Sequence, residues 1–351
     1  MNNNSDDFQL KFNLKNLIVM LILFSLLLVY IGLIGVEKVL SSLLGANVFL
    51  LIVATIIYYT SLMVRSFRWK LFLNSLNDQN GQELSYFNIY SLIAFSFAIN
   101  NIFPLRMGEL YRPYELSKKQ DYSLISSFAT VILERTFDVS LMGGLIVISA
   151  ILQGYGTLLN SSDFIGNILF SIGIVVGFIL LLLILSKKET TYLLIKILNS
   201  ISNIVQTKLV TDEEQTAQKV STEVSLLIHN RRIILLGILS SLIIWLMEGS
   251  VFWIIAFSMN VNFSFMMAVF ILLLAGLIGN SITSASGLGQ LPFMIGQLVL
   301  LLGVSPELAL STSIVYLLIV FWLIIPIGTV LHELMEIFTK QKYQKELTHK
   351  F

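Results

Sequence analysis

Apolar residues along this chain fall in long, nearly continuous runs separated by short polar stretches. The runs are Leu17–Val36, Ala46–Val64, Leu84–Phe103, Leu124–Leu152, Ile165–Ser186, Ile233–Phe257, Phe265–Ile282, Pro292–Val304 and Leu308–His332. Their length and the lack of strand-type alternation predict helices. Eight of them are long enough to cross, or nearly cross, about 30 Å of hydrocarbon, whereas Pro292–Val304 predicts a half-membrane piece. Leu17–Val36 is too long for a signal-peptide core and is followed by Glu37-Lys38-Val39-Leu40 rather than by small residues. It therefore reads as a retained transmembrane helix.

Composition narrows the class. Of 351 residues, 56% are apolar and 12% are charged, against about 45–50% and about 25% in a typical soluble domain. A soluble fold and a disordered chain are both excluded, which leaves an all-α, polytopic helical membrane protein. There is no cysteine, so disulfides and thiol chemistry are ruled out. His229, His332 and His349 are scattered, and no nucleotide-binding, HExxH or GxSxG motif is present. No cofactor, metal site or nucleic-acid partner is expected.

Charge distribution then predicts topology. Basic residues cluster at Lys11–Lys15, Arg65–Lys70, Arg106–Lys119, Lys187–Arg232 and Lys340–Lys350, while 153–164 and 259–307 have none. Placing the basic segments in the cytoplasm puts 20 of the 22 Lys and Arg inside, with Lys38 outside and Arg135 within a helix. Both ends of Leu84–Phe103 then lie inside, and both ends of the 265–304 region lie outside. The solution is two re-entrant helical hairpins of opposite orientation, about 84–118 and about 265–304, among about six full spans, with both termini cytoplasmic. The expected organisation is an N-terminal tail (1–16), a membrane half (17–186), a connector (187–232), a second membrane half (233–332) and a basic tail (333–351).

The hairpin tips contain helix breakers. Pro104 disfavours helix at Phe103, just after Asn100-Asn101. The second tip, Gly279 to Pro292, is rich in Gly and Ser and includes Asn280 and Ser286. Broken backbone inside a membrane must be buried in protein or line a water cavity. Opposed breaks in two halves of a chain point to a transporter site, and the competing reading is loops between short helices. In the connector, Leu194, Ile197, Leu198, Ile201, Ile204 and Val205 suggest an interfacial amphipathic helix, and Asp212-Glu213-Glu214 a solvated turn.

Charges within apolar runs carry the chemistry. Arg106, Glu109 and Arg112 share a helical face directly after the Pro104 break and would suit an anionic head group such as a lipid phosphate. The alternative is a basic patch that only anchors topology. Glu134, Arg135 and Asp138 sit deep in Leu124–Leu152, where each charge costs roughly 2.5–3.5 kcal/mol and must pair. Arg106 or Arg112 is the expected partner of this ion-pair network, which serves substrate or only structure. Glu248, in the Ile233–Phe257 run, reads as a proton-coupling site, an arginine's partner or a protonated acid. Asn100, Asn101, Asn280 and Ser286 are candidate head-group ligands, with capping as the alternative for the asparagines. His332 reads as interfacial. Arg65, Arg68, Trp69 and Lys70, at the end of the second run, read as membrane anchors, with attraction to anionic lipid as the alternative.

Pro104-Leu105-Arg106-Met107-Gly108-Glu109 with Arg112, then Glu134-Arg135 with Asp138, resembles the membrane region of lysylphosphatidylglycerol synthases, the flippase-like domain family. Arg68-Trp69 and Gly287-Leu288-Gly289 are similar to weaker parts of that pattern, and the resemblance spans roughly residues 15–335. It implies an eight-segment helical domain with re-entrant elements that moves or holds an anionic or glycosylated lipid. Fused relatives continue into a soluble aminoacyl-transferase domain; here only a short tail follows 332, so synthase activity is not expected. The family's Pro-Gly-Gly-x-Gly segment with a following Glu is replaced by Ala285-Ser286-Gly287-Leu288-Gly289, with Pro292 near the place of the Glu. The role of that acid is therefore not carried over, and the second hairpin is expected to take a different head group.

The leading expectation is a multi-pass plasma-membrane transporter, not an enzyme, that flips a polar lipid between leaflets without ATP. The second is a lipid-presenting subunit beside a membrane glycosyltransferase or lipid-modifying enzyme, and the third is a structural scaffold.

Overall fold

A computed structural model describes residues 35–76, 84–103, 106–119, 122–152, 213–282 and 290–348, with isolated positions at 32, 187, 188 and 192. Every regular element among them is helical: α1 Val36–Leu44, α2 Val48–Leu73, α3 Tyr86–Ile102, α4 Met107–Lys119, α5 Leu124–Leu152, α6 Glu213–His229, α7 Arg231–Ser258, α8 Phe265–Ile282, α9 Gln290–Leu300, α10 Pro306–Leu317 and α11 Ile324–Thr348. Polar residues set several starts. Asn47 accepts from the Leu50 amide, Ser85 from Asn88, and Asn230 from Arg232 and Ile233. Each answers amides that a helix leaves without partners at its first turn.

Three stretches are long and apolar enough to cross a membrane: Val48–Leu73, Arg231–Ser258 and Pro306–Thr339. Phe265–Leu277 and Leu291–Leu300 are shorter apolar pieces. Helix α5 has 29 residues but carries Glu134, Arg135 and Asp138 in its middle. Nearly all of the first apolar run, the Ile165–Ser186 run and the expected amphipathic helix near 194–205 lie outside the described residues; of the first run only Gly32, Gly35 and Val36 are described. Asp212 also lies outside them, but Glu213 and Glu214 open α6 instead of forming a solvated turn. Acidic residues suit a helix N-terminus, and α6 docks on α5 through Val220 and Val224 against Ala129.

Two antiparallel helix pairs organise the bundle. Helix α7 runs back along α2, with Asn47 N donating to Ser258 O at 2.8 Å at one end and Gly237 against Phe72 near the other. Helix α11 runs back along α3, where a Cβ on Gly328 would lie 2.6 Å from Ala94 O. Only glycine allows that approach, the usual device for close helix packing in membranes. Helices from the N-terminal and C-terminal halves therefore pair with each other.

Phe103 is extended, as expected before Pro104, and α4 then folds back against α3. A Cβ on Gly108 would collide with Ser96 O, so a larger residue there would displace α4. Asn100 Oδ1 accepts from Gly108 N at 2.9 Å and caps the incoming helix from the outgoing one.

Helices α10 and α11 are joined by a π turn, Leu318–Trp322, where Leu323 N donates to Leu318 O at 3.0 Å. Pro326 accounts for it. Its ring crowds Trp322 O and it has no amide to donate, so the helix widens just before it. The widening frees carbonyls, and two side chains take them: Asn101 Nδ2 donates to Phe321 O at 2.9 Å and Tyr58 OH to Val320 O at 3.1 Å.

Candidate functional site

The bundle's centre is ionic. Helix α2 supplies Arg65 and Arg68 at i, i+3, α5 supplies Glu134, Arg135 and Asp138, α4 supplies Glu109 and Arg112, and α7 supplies Glu248. Arg68 meets Asp138 Oδ1 at 2.6 Å and Glu134 Oε1 at 2.9 Å, and also donates to Ser241. Arg112 meets the second Glu134 oxygen at 3.0 Å. Arg65 lies 2.5 Å from Glu248 Oε1 and 3.6 Å from Asp138 Oδ2. Arg135 lies 3.4 Å from Asp138 and 3.5 Å from Glu109, which also holds Arg106 at 3.2 Å.

Arg65, Arg68 and Arg112 are 3%, 0% and 2% exposed, and Glu134, Asp138 and Glu248 are buried. Aromatic rings cover the guanidinium groups: Arg112 over Trp69 at 4.8 Å, Arg65 over Phe97 at 5.3 Å and over Trp245 at 5.4 Å. Such cation–π contacts gain strength when the charge is desolvated. Trp69 is itself fixed by Nε1 donating to Thr130 at 3.0 Å.

The cluster opens at one edge. The Arg106 side chain is 48% exposed, and those of Arg135 and Glu109 are partly exposed. Arg106 has φ of 52°, a left-handed backbone conformation that glycine adopts freely and arginine does not. Five arginines (65, 68, 106, 112 and 135) face four carboxylates (109, 134, 138 and 248). Among the described residues, with all groups ionised, the site is net positive by one charge. The Nε atoms of Arg65, Arg68 and Arg112 are buried with no hydrogen-bond acceptor among the described residues.

Several expectations change. Arg65, Arg68 and Trp69 are not interfacial anchors but the buried centre of the site, because α2 continues to Leu73 and turns that face toward the acids of α5 and α7. Glu134 and Asp138 find their cations on α2 as well as on α4. Arg106 stands just before α4 in a left-handed conformation, off the helical face expected of it, and pairs with Glu109 rather than with Glu134. Asn100 and Asn101, read from the sequence as head-group ligands or as caps, both hold protein atoms: Asn100 caps α4, and Asn101 binds a carbonyl of the π turn. His332 is 7% exposed and packed rather than interfacial: Phe95 stacks on it at 4.2 Å and Tyr111 OH lies 3.2 Å from its Nε2. Asn280 lies on α8 with its side chain outside the described set, and Ser286 lies outside the described residues. The missed arginines had a signal: three acids in apolar runs demand more cations than Arg112 and Arg135 supply.

Membrane-length helices around a buried ionic centre define an integral membrane protein of the polytopic helical class. The family described as Lysylphosphatidylglycerol synthase TM region matches residues 16–328, and the chain belongs to that family. Among its relatives is a UPF0104 membrane protein of Methanocaldococcus jannaschii, 29% identical over 68% of this chain and 94% of that protein. A second, from Methanothermobacter thermautotrophicus, is 24% identical over 84% of this chain and 88% of that protein.

Proposed function

We propose that the chain is a plasma-membrane transporter that moves a polar lipid with an anionic head group between leaflets. The head group enters between two re-entrant hairpins, α3–α4 from the cytoplasmic side and α8–α9 from outside, within about six full spans. Its phosphate meets Arg106 and Arg135 at the open edge of the ionic centre, while its chains stay in the bilayer.

The observation that carries this reading is the net positive, largely buried cluster with Arg106 half exposed at its mouth. Excess positive charge at membrane depth is stabilised by an anion, and arginine binds phosphate oxygens through paired hydrogen bonds. The left-handed Arg106 backbone adds support, since strained residues persist where the surrounding structure and function hold them. The antiparallel fold of α4 on α3 supports the first hairpin, and the membrane-lipid character of the family name supports the substrate class.

The test is transfer of a fluorescent anionic phospholipid across the bilayer of proteoliposomes holding the purified chain. Wild-type protein is expected to move it, and Arg106→Ala to lose at least tenfold in rate while remaining monodisperse. Arg106→Gly, which relieves the positive φ, should lose transport without losing stability. Unchanged transfer in both variants would reject the site; no transfer by wild-type protein would reject the activity.

A further inference from the structure

Helix α4 has a second set of polar side chains, next to those that join the arginine network. Tyr111 and Glu115, one turn apart, meet His332 and Glu336, one turn apart on α11. One ligating atom from each of Glu115, His332 and Glu336 can be chosen so that all lie within 4.8 Å of one another. Glu115 is 5% exposed and His332 7%. His332 Nε2 lies 3.5 Å from Glu336 Oε1 and 3.2 Å from the Tyr111 hydroxyl. The Phe95 ring lies flat on the imidazole, 2° from parallel, and fixes its plane.

Two carboxylates that converge on one imidazole, Glu115 buried and Glu336 28% exposed at its side chain, favour a cation shared between them. An imidazole nitrogen close to the same point is a borderline donor that a proton or a metal can occupy. We infer that Glu115, His332 and Glu336 form a binding site for a divalent transition-metal ion, with His332 Nε2 and one oxygen of each carboxylate as ligands. Two carboxylates and a neutral imidazole balance a 2+ charge. Mixed imidazole and carboxylate donors suit zinc or a neighbouring first-row metal better than the all-oxygen shells of calcium or magnesium.

The dimensions fit with small adjustment. Tetrahedral zinc with bonds of about 2.0–2.2 Å sets its ligand atoms about 3.3–3.6 Å apart. The glutamates, each with three side-chain torsions, close the difference while stacking holds the imidazole. Three protein ligands leave a fourth position for water or the Tyr111 oxygen, the pattern of an open site. Ligands from two helices facing each other across a bundle are a recurrent way to build such sites. The ion would clamp the first hairpin to α11, one turn beyond Arg112, independently of any lipid movement.

The test uses the full-length chain in detergent, stripped with a chelator and titrated with Zn²⁺ by isothermal titration calorimetry. Wild-type protein is expected to bind one equivalent. Affinity should fall at least tenfold in Glu115→Gln and in His332→Ala, and stay unchanged in His229→Ala/His349→Ala. Substoichiometric binding by wild-type protein, or equal affinity in Glu115→Gln, overturns the site. A second readout needs no variant: Co²⁺ added to the stripped protein should give a visible absorption band that one equivalent of Zn²⁺ abolishes. Absence of a band displaceable by Zn²⁺ also overturns it.

Discussion

The two polar faces of α4 place carboxylates under different constraints. On one, Glu109 and Arg112 join Glu134, Asp138 and four further arginines, whose charge is permanent. On the other, Glu115 meets an imidazole, a phenol and a second glutamate. The first face has permanent charge compensation, built in by arginine. The second includes a conditional partner, the His332 imidazole, whose charge depends on what occupies it. One short helix thus joins a fixed electrostatic core to a group able to exchange protons or metal. Three tests bear on that contrast, and they differ in size because the two faces differ in how much charge each side chain compensates.

The largest effect is expected at Asp138. Its oxygens face Arg65, Arg68 and Arg135. Asp138→Asn keeps the shape and removes the charge, leaving a cluster with two excess positives. Losing one partner of a buried ion pair costs about 3–5 kcal/mol. The variant should lose most of its monodisperse peak in size-exclusion chromatography, or show a strongly lowered thermal midpoint. A midpoint equal to wild type would mean that the network does not hold the bundle, and the permanent-charge side of the contrast would fall.

How much of this was readable in the chain follows from what local pattern can encode. The helices, the break at Phe103-Pro104 and the need of Glu134 and Asp138 for cations are local facts, and they could be read from spacing. Arg65 and Arg68 were misplaced because a basic, Trp-containing helix end looks like an interface; only the packing of α7 on α2 brings Glu248 and Ser241 opposite them. The 115–332–336 cluster depends on α11 returning along α3, a tertiary fact with no local signal beyond the i, i+4 spacing of His332 and Glu336. The π turn did have one, in Pro326, but its carbonyl partners Tyr58 and Asn101 come from distant helices.

Gly108 sets how closely both faces are held, because it seats α4 on the Ser96 backbone. Gly108→Ala inserts a Cβ against a main-chain oxygen, which cannot swing aside as a side chain would. Overpacking of this kind costs about 1–3 kcal/mol. The helix has to lift, so both faces should feel it: a lowered thermal midpoint and, if the two proposals hold, weaker lipid transfer together with weaker Zn²⁺ binding. A variant with wild-type stability and transfer would show that α4 can shift without disturbing either face, and the idea of one helix coupling the two would fail.

A smaller effect than at Asp138 is expected at Tyr111, on the conditional face. Tyr111→Phe keeps the ring that packs edge-on to Phe95 at 5.4 Å and removes the hydroxyl 3.2 Å from His332 Nε2. The hydroxyl is also hydrogen-bonded to the Glu115 carboxylate, so the cost is that of a hydrogen bond to a charged group, about 1.5–3 kcal/mol. Measured as a thermal midpoint in chelator-treated protein, the drop should be smaller than that of Asp138→Asn, where three arginines lose a common partner. A drop as large as that of Asp138→Asn would mean that the Tyr111–His332 contact is itself part of the structural core. The two faces of α4 would then not divide into permanent and conditional compensation, because both would be needed to keep the helices together.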